Sequence, residues 1–139
     1  MKIHIYETRV RYAETDQMGV VYYGNYLAYL ESARTGLLRE EGYPYSELEK
    51  QGLLLPVTEC KIQYKGAARY DEEVKVATTL AYVKNASIKF NYKVYNAEEK
   101  EIAEAYTIHP FLNAEWKIIT IPDDVKAALL PYVENKPTQ

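Results

Sequence analysis

One long helical pattern set among several extended ones is what most limits the folds open to this chain. Over residues 22–41, Tyr22, Tyr26, Leu30, Ala33, Leu37 and Leu38 recur three and four positions apart, the spacing of a helix with one apolar stripe. Gly42 and Pro44 end it, since glycine is the usual residue just past a helix and proline cannot continue one. At 1.5 Å per residue this helix is about 25–30 Å long, enough to cross five strands set about 4.8 Å apart. Residues 3–12 alternate loosely before it. After it come residues 57–64, broken by Lys65-Gly66-Ala67-Ala68, and then Val74, Val76, Thr78, Leu80 and Tyr82 facing one way with Lys75 and Thr79 facing the other. Ile88, Phe90, Tyr92 and Val94 alternate with Lys89, Asn91 and Lys93, and residues 102–112 return after a turn at 96–100. A short helix over residues 45–51, a short strand over 118–121 and a last helix opening at Pro122-Asp123-Asp124 complete the pattern. Strand, long helix, then consecutive antiparallel strands is an α+β layout in which one sheet wraps one helix.

At 139 residues the chain makes a single domain, 1–139, with residues 135–139 expected to be loose. A domain of this size buries roughly 65–70% of its unfolded surface and needs no disulfide or structural metal. The net charge of −3 repels nucleic-acid backbones and anionic membrane surfaces, so neither is an expected partner, and a polyanionic ligand needs a local basic patch. Cys60 is the single cysteine, which excludes an intrachain disulfide and fits a reducing cytoplasm. No signal-peptide core and no apolar run of about 18 residues occurs, so a cytoplasmic protein without membrane insertion is expected.

The chemistry concentrates in Tyr12-Ala13-Glu14-Thr15-Asp16-Gln17-Met18-Gly19-Val20-Val21-Tyr22-Tyr23-Gly24-Asn25-Tyr26-Leu27, which sets Asp16 seven residues ahead of Tyr23 at the start of the long helix. The first N–H groups of a helix are unpaired and partly positive, so an acyl oxygen placed there is polarised while a carboxylate addresses the carbonyl carbon or a water. Gly19 and Gly24 let backbone or substrate approach where a Cβ would obstruct. The plain alternative is that Asp16 serves only as a turn or cap residue. Glu14 projects to the same side and reads as structural. His4, His109 and Cys60 are scattered without metal-ligand spacing; His109 reads as a packed or surface strand residue and Cys60 as a buried, inert thiol. Ser32 and Ser87 lack a Gly-x-Ser-x-Gly context, and the glycines form no phosphate-binding loop.

The opening segment, with Leu55-Pro56-Val57-Thr58-Glu59-Cys60, Tyr64-Lys65-Gly66-Ala67-Ala68-Arg69-Tyr70-Asp71 and Ala105-Tyr106-Thr107-Ile108-His109-Pro110-Phe111, resembles the hotdog-fold acyl-CoA thioesterases. The likeness is to the 4-hydroxybenzoyl-CoA thioesterase-like group that includes the Tol-Pal-associated thioesterases, and it runs over residues 5–133. The resemblance implies an antiparallel sheet of five to six strands wrapped around one long central helix. It implies hydrolysis of an acyl-CoA thioester to free acid and coenzyme A, with Asp16 as nucleophile or general base and the backbone N–H of Tyr23 and Gly24 as oxyanion donors. Gly19, Val20, Tyr26, Glu59 and Arg69 then lie beside the substrate, and no cofactor is expected beyond the coenzyme A that is part of it. Glu59 reads either as a pocket residue across a subunit contact or as a solvated strand residue. Arg69 stands out for the phosphates among Lys61, Lys65, Lys84 and Lys89.

Many relatives in that group carry a histidine where this chain has Tyr23, so a backbone donor survives here but an imidazole does not. One helix cannot cover both faces of a sheet, and with Tyr95, Ala105, Thr107 and Phe111 read onto the second face, association is expected. The resemblance implies a homodimer joined sheet edge to sheet edge with the site between protomers, or a dimer of dimers. Two other readings compete: a hotdog dehydratase or hydratase, which needs a histidine the opening motif lacks, and a non-catalytic acyl-CoA-binding protein acting as sensor or scaffold. Acyl preference, and coenzyme A against acyl carrier protein as thiol carrier, stay open.

Overall fold

A computed structural model describes residues 1–134; the expected loose tail, 135–139, lies outside the described residues. The elements are β1 (His4–Arg9), α1 (Tyr26–Glu40), α2 (Tyr45–Lys50), β2 (Glu59–Tyr64), β3 (Glu73–Val83), β4 (Ser87–Tyr95), β5 (Glu101–Pro110) and α3 (Asp123–Leu129). The five strands form one antiparallel sheet in the order β1-β3-β4-β5-β2. Two tight turns join β3, β4 and β5, while the long excursion between β1 and β2 carries α1 and α2 over one face. The α+β layout read from the sequence is the one the chain adopts.

A 3-10 turn at Tyr23–Asn25 leads into α1, which buries Tyr26, Tyr29, Leu30, Ala33, Leu37 and Leu38. They share one core with Val74, Val76, Leu80, Phe90, Tyr92 and Val94 of the sheet. Each fully buried leucine contributes roughly 1.5–3 kcal/mol. Tyr22, expected on this stripe, is 45% exposed, because its backbone is still extended (ψ 135°) before the turn begins; Tyr29 takes its place. At the far end Gly42 adopts φ +91°, and the Tyr43 N–H donates back to the Leu38 carbonyl.

Irregular registers change which side chains share a face. In β3 the register shifts between Leu80 and Tyr82, so Tyr82 pairs with Lys89 on the outer face instead of continuing the Val74-to-Leu80 row. In β5 a shift opposite Val94 and Tyr95 buries Ile102 and Ala103 in succession. From there Ala105, Thr107 and His109 point at α1, and Phe111 beyond the strand is also buried, so three residues read onto the second face belong to the core. The outer face carries cross-strand rows such as Thr79, Asn91, Tyr106 and Lys61. Residues 118–121 form no named strand; Ile118 makes a single bridge to Leu112. Cys60 is exposed, not buried, because β2 has no neighbouring strand on its far side.

Candidate active site

Asp16 sits in a small hairpin that the sequence builds for local reasons. The Asp16 N–H donates to the Val20 carbonyl at 2.9 Å and the Gly19 N–H to the Asp16 carbonyl at 3.0 Å, with Gly19 at φ +79°: a tight turn closed by a one-residue bulge. Asp16 Oδ1 accepts the Met18 N–H at 2.9 Å, the turn role that any loop aspartate can play. Its other oxygen has no hydrogen-bond partner among the described residues. Gly19 is required by its backbone angle; a Cβ there would meet only Arg69 Nη1, at 3.7 Å.

Glu14 is committed elsewhere. Its carboxylate accepts the Arg11 N–H at 2.8 Å and the Tyr29 hydroxyl at 2.8 Å, and it pairs with the Arg11 guanidinium at 3.1 Å. Burial works against ionisation, but these donors together hold the carboxyl below its ordinary range. The Glu14 carbonyl accepts the Tyr22 N–H and the Asn25 side-chain amide. Glu14 thereby ties the hairpin to the start of α1.

The helix start supplies the donors. Tyr22 N–H is taken by Glu14 and Asn25 N–H by the Tyr22 carbonyl, while the N–H groups of Tyr23 and Gly24, the first two of the 3-10 turn, have no partner among the described residues. The Tyr22 ring lies over Gly24, where a Cβ would come within 3.0 Å of it, and packs tilted by 48° against the Tyr23 ring with centroids 4.7 Å apart. The Tyr22 phenol is pushed up, first by the Tyr23 hydroxyl and also by the Asp16 carboxylate, which places Asp16 beside this tyrosine pair.

Two further segments frame the site. Ala68 accepts the Val21 N–H and Arg69 bridges Val20, so the loop after β2 brings the exposed Arg69 against the Asp16 hairpin. Tyr64, at the end of β2, donates its hydroxyl to the Tyr23 carbonyl at 2.9 Å and packs edge-on against Tyr26 at 5.2 Å. Tyr26 is itself buried, and burial above all pushes its phenol up to about 12. It floors the helix start instead of lining open space.

The structure thus brings together Asp16, Gly19, Val20, Tyr23, Gly24 and Arg69, with Tyr26 beneath. It does not bring Glu59, which lies on the outer face with its carboxylate accepting the Tyr106 hydroxyl at 2.6 Å. Of the lysines considered with Arg69, Lys65 is paired with Glu101 and Glu104, and Lys84 and Lys89 cover the rings of Tyr82 and Tyr106. Tyr22 and Tyr64 are the site residues that sequence reasoning missed. Tyr64 ends a clean strand pattern, but no local spacing tells which helix it will reach. A recess of about 510 Å³ opens on the outer face between Met1, Lys61, Asn91 and Lys93, and none of the candidate site residues lines it.

Residues 10–129 match the thioesterase-like superfamily, and the chain belongs to that family. It is 38% identical over 109 residues to YneP of Bacillus subtilis, spanning 78% of this chain and 79% of that one. It is 32% identical over 97 residues to the acyl-CoA thioester hydrolase YbgC of Escherichia coli O157:H7, covering 70% of this chain and 72% of that one. Among solved structures, DHNA-CoA thioesterase from Staphylococcus aureus superposes with a TM-score of 0.81 at 33% identity, over 89% of this chain and 83% of that one. The sheet wrapped on one long helix is the hotdog fold.

Proposed function

We propose that this protein is an acyl-CoA thioesterase in which Asp16 is the catalytic carboxylate and the N–H groups of Tyr23 and Gly24 receive the oxyanion. The observation that carries the reading is the pair of unpartnered helix-start amides in the same loop system as a carboxylate with one free oxygen. Relatives named as acyl-CoA thioesterases make the substrate class a thioester of coenzyme A. Asp16 delivers an oxygen to the thioester carbon, its own or that of a water it deprotonates. The carbonyl oxygen takes up negative charge against the two amides, and the C–S bond then breaks to release the thiolate; where the carboxylate itself attacked, a water then cleaves the mixed anhydride to free acid and restores Asp16. A thiolate leaves without prior protonation, so no imidazole is needed where Tyr23 stands. Arg69 binds the coenzyme A phosphates.

The site is completed by a second copy. Backbone bonding between β4 and β5 starts with Phe111 N–H to Ala86, so along β5 the groups facing β2 are those of residues 102, 104, 106 and 108. In β2 this leaves the N–H and C=O of Cys60, Ile62 and Tyr64 pointing outward, beside exposed Val57, Tyr23 and Leu27. An open, partly apolar edge of this kind pairs with itself about a two-fold axis, placing each helix start at the junction.

Thiol release from a panel of acyl-CoA substrates, for wild type and Asp16→Asn, tests the chemistry. Wild type is expected to turn over and Asp16→Asn to lose at least about 10²-fold in kcat, as for removal of a base or nucleophile. Equal rates reject Asp16 as the catalyst. Binding of acyl-CoA with no turnover of any thioester points instead to a sensor or scaffold.

A further inference from the structure

Arg34 is a cation that the fold half-buries beside neutral groups only. Tyr23, Leu27 and Arg34 follow one another four and seven positions apart, and so line one flank of the helix start and α1. Tyr23 is 62% and Leu27 50% exposed, and the Tyr64 contact to Tyr23 places this flank along β2. The guanidinium adjoins Tyr92 and Tyr45 and acts on Cys60 of β2, so it lies between helix and edge strand. Its Nε–H is buried without a hydrogen-bond partner. Among the described residues no carboxylate pairs with it, Glu31 of the preceding turn included.

The groups beneath it cannot supply a counter-charge. Burial above all pushes His109 down to about 4, so the ring is neutral at pH 7. With Nδ1–H donating to the Leu55 carbonyl at 3.0 Å, Nε2 accepts the Thr107 hydroxyl at 2.8 Å, and Thr107 Oγ1 in turn accepts the Tyr92 hydroxyl at 2.7 Å. Tyr92 therefore presents only lone pairs to the guanidinium. A half-buried cation facing neutral oxygens, with a spare donor, lacks the anion that would offset its desolvation.

We propose that Arg34 binds a carboxylate at the far end of the acyl group, so that the preferred substrates are half-thioesters of dicarboxylic acids. This rests on the thioesterase reading only for where the thioester sits. Arg34 lies about 16 Å along the axis from Tyr23, and helical side chains lean back by about one turn, which leaves about 11 Å between the oxyanion amides and the guanidinium. After a hydrogen bond of about 3 Å at each end is allowed for, an acyl chain of roughly six to eight carbons spans the gap, with Leu27 against its methylenes. A carboxylate fits the two Nη–H groups with two bonds and supplies the missing charge, whereas a neutral phenol does neither.

Calorimetric binding of non-hydrolysable S-alkyl and S-(ω-carboxyalkyl) coenzyme A thioethers of equal length, to wild type, Arg34→Gln and Arg34→Lys, tests this. Wild type is expected to bind the carboxyalkyl compound at least about tenfold more tightly than its alkyl match, as a charge-assisted pair warrants. Arg34→Gln erases that ratio and Arg34→Lys retains part of it. A ratio near one in wild type, or one that survives Arg34→Gln, overturns the proposal. So does an Arg34 dependence seen with a hydroxyaryl thioether but not with the carboxyalkyl one. Because the ratio is read within each variant, a general loss of affinity does not imitate the effect. Hydrolysis of the matching thioesters is scored separately: an Arg34-dependent ratio without turnover leaves this inference standing and removes the thioesterase reading, and turnover without the ratio does the reverse.

Discussion

Asp16 and Glu14 are two residues apart and have opposite employments. Glu14 accepts three donors from Arg11 and Tyr29, so Glu14→Gln is expected to lower unfolding free energy by about 1–3 kcal/mol, read as a shift in urea midpoint. Asp16→Asn, which keeps an acceptor for Met18 N–H, is expected to leave the midpoint within about 0.5 kcal/mol while removing activity. A stability loss at Asp16 as large as that at Glu14 would return Asp16 to a turn role. His109 sets a pH dependence. Its folded pKa of about 4 lies below the ordinary 6.5, so the unfolded chain takes up a proton that the folded one refuses. Its contribution is complete above about pH 6.5 and is lost as pH falls toward 4, by about 3 kcal/mol in all. Burial lowers His4 in the same direction, so the difference between wild type and His109→Gln isolates the effect. Denaturant melts at pH 7 and pH 4.5 should show a smaller acid loss for the variant; equal losses would contradict the neutral buried ring. Asp16, Tyr23 and Gly24 could be chosen as candidates from the sequence because their spacing is local. Tyr64 and Arg34 could not, since their partners come from elements far along the chain.

At the scale of elements, α1 follows from its stripe. Leu37 is fully buried, and Leu37→Ala is expected to cost about 2–5 kcal/mol, with loss of cooperativity in the thermal melt if the core fails to close. The hairpin at Gly19 is equally local: φ +79° costs a residue with a Cβ about 1–2 kcal/mol, so Gly19→Ala weakens the turn that aims Asp16. A variant with unchanged midpoint and unchanged kcat would show that this turn has no such role. The long helix, the turns and the succession of strands along the chain were legible because periods of 3.6 and 2 survive in the residues. The pairing of β2 with β5 instead of β3, and of β1 with β3, was not, since those partners lie far apart along the chain. The bulges in β3 and β5 were not, because one inserted residue reverses every later side chain without any mark in composition. That reversal is why Tyr82 was read inward and Ala105 and Thr107 outward.

For the whole molecule, the open side of β2 is the feature with the widest consequences. The Cys60 N–H points away from β5, so Cys60→Pro removes an edge donor while sparing the internal ladder. Sedimentation is expected to give a dimer or dimer of dimers for wild type and a shift toward single chains for Cys60→Pro, with activity falling in parallel. Unchanged mass would place the contact elsewhere. Among the described residues no helix is long and apolar enough to cross a membrane. The central claim concerns where a carbonyl rests, and a crystal structure with an S-(2-oxoalkyl) coenzyme A ketone, which cannot be hydrolysed, measures that directly. The ketone oxygen is expected within about 3 Å of the Tyr23 and Gly24 nitrogens, with an Asp16 oxygen, or a water it holds, facing the carbonyl carbon. A ketone bound with its oxygen turned from those amides, or with Asp16 out of reach of the carbon, would contradict the mechanism whatever the turnover rates.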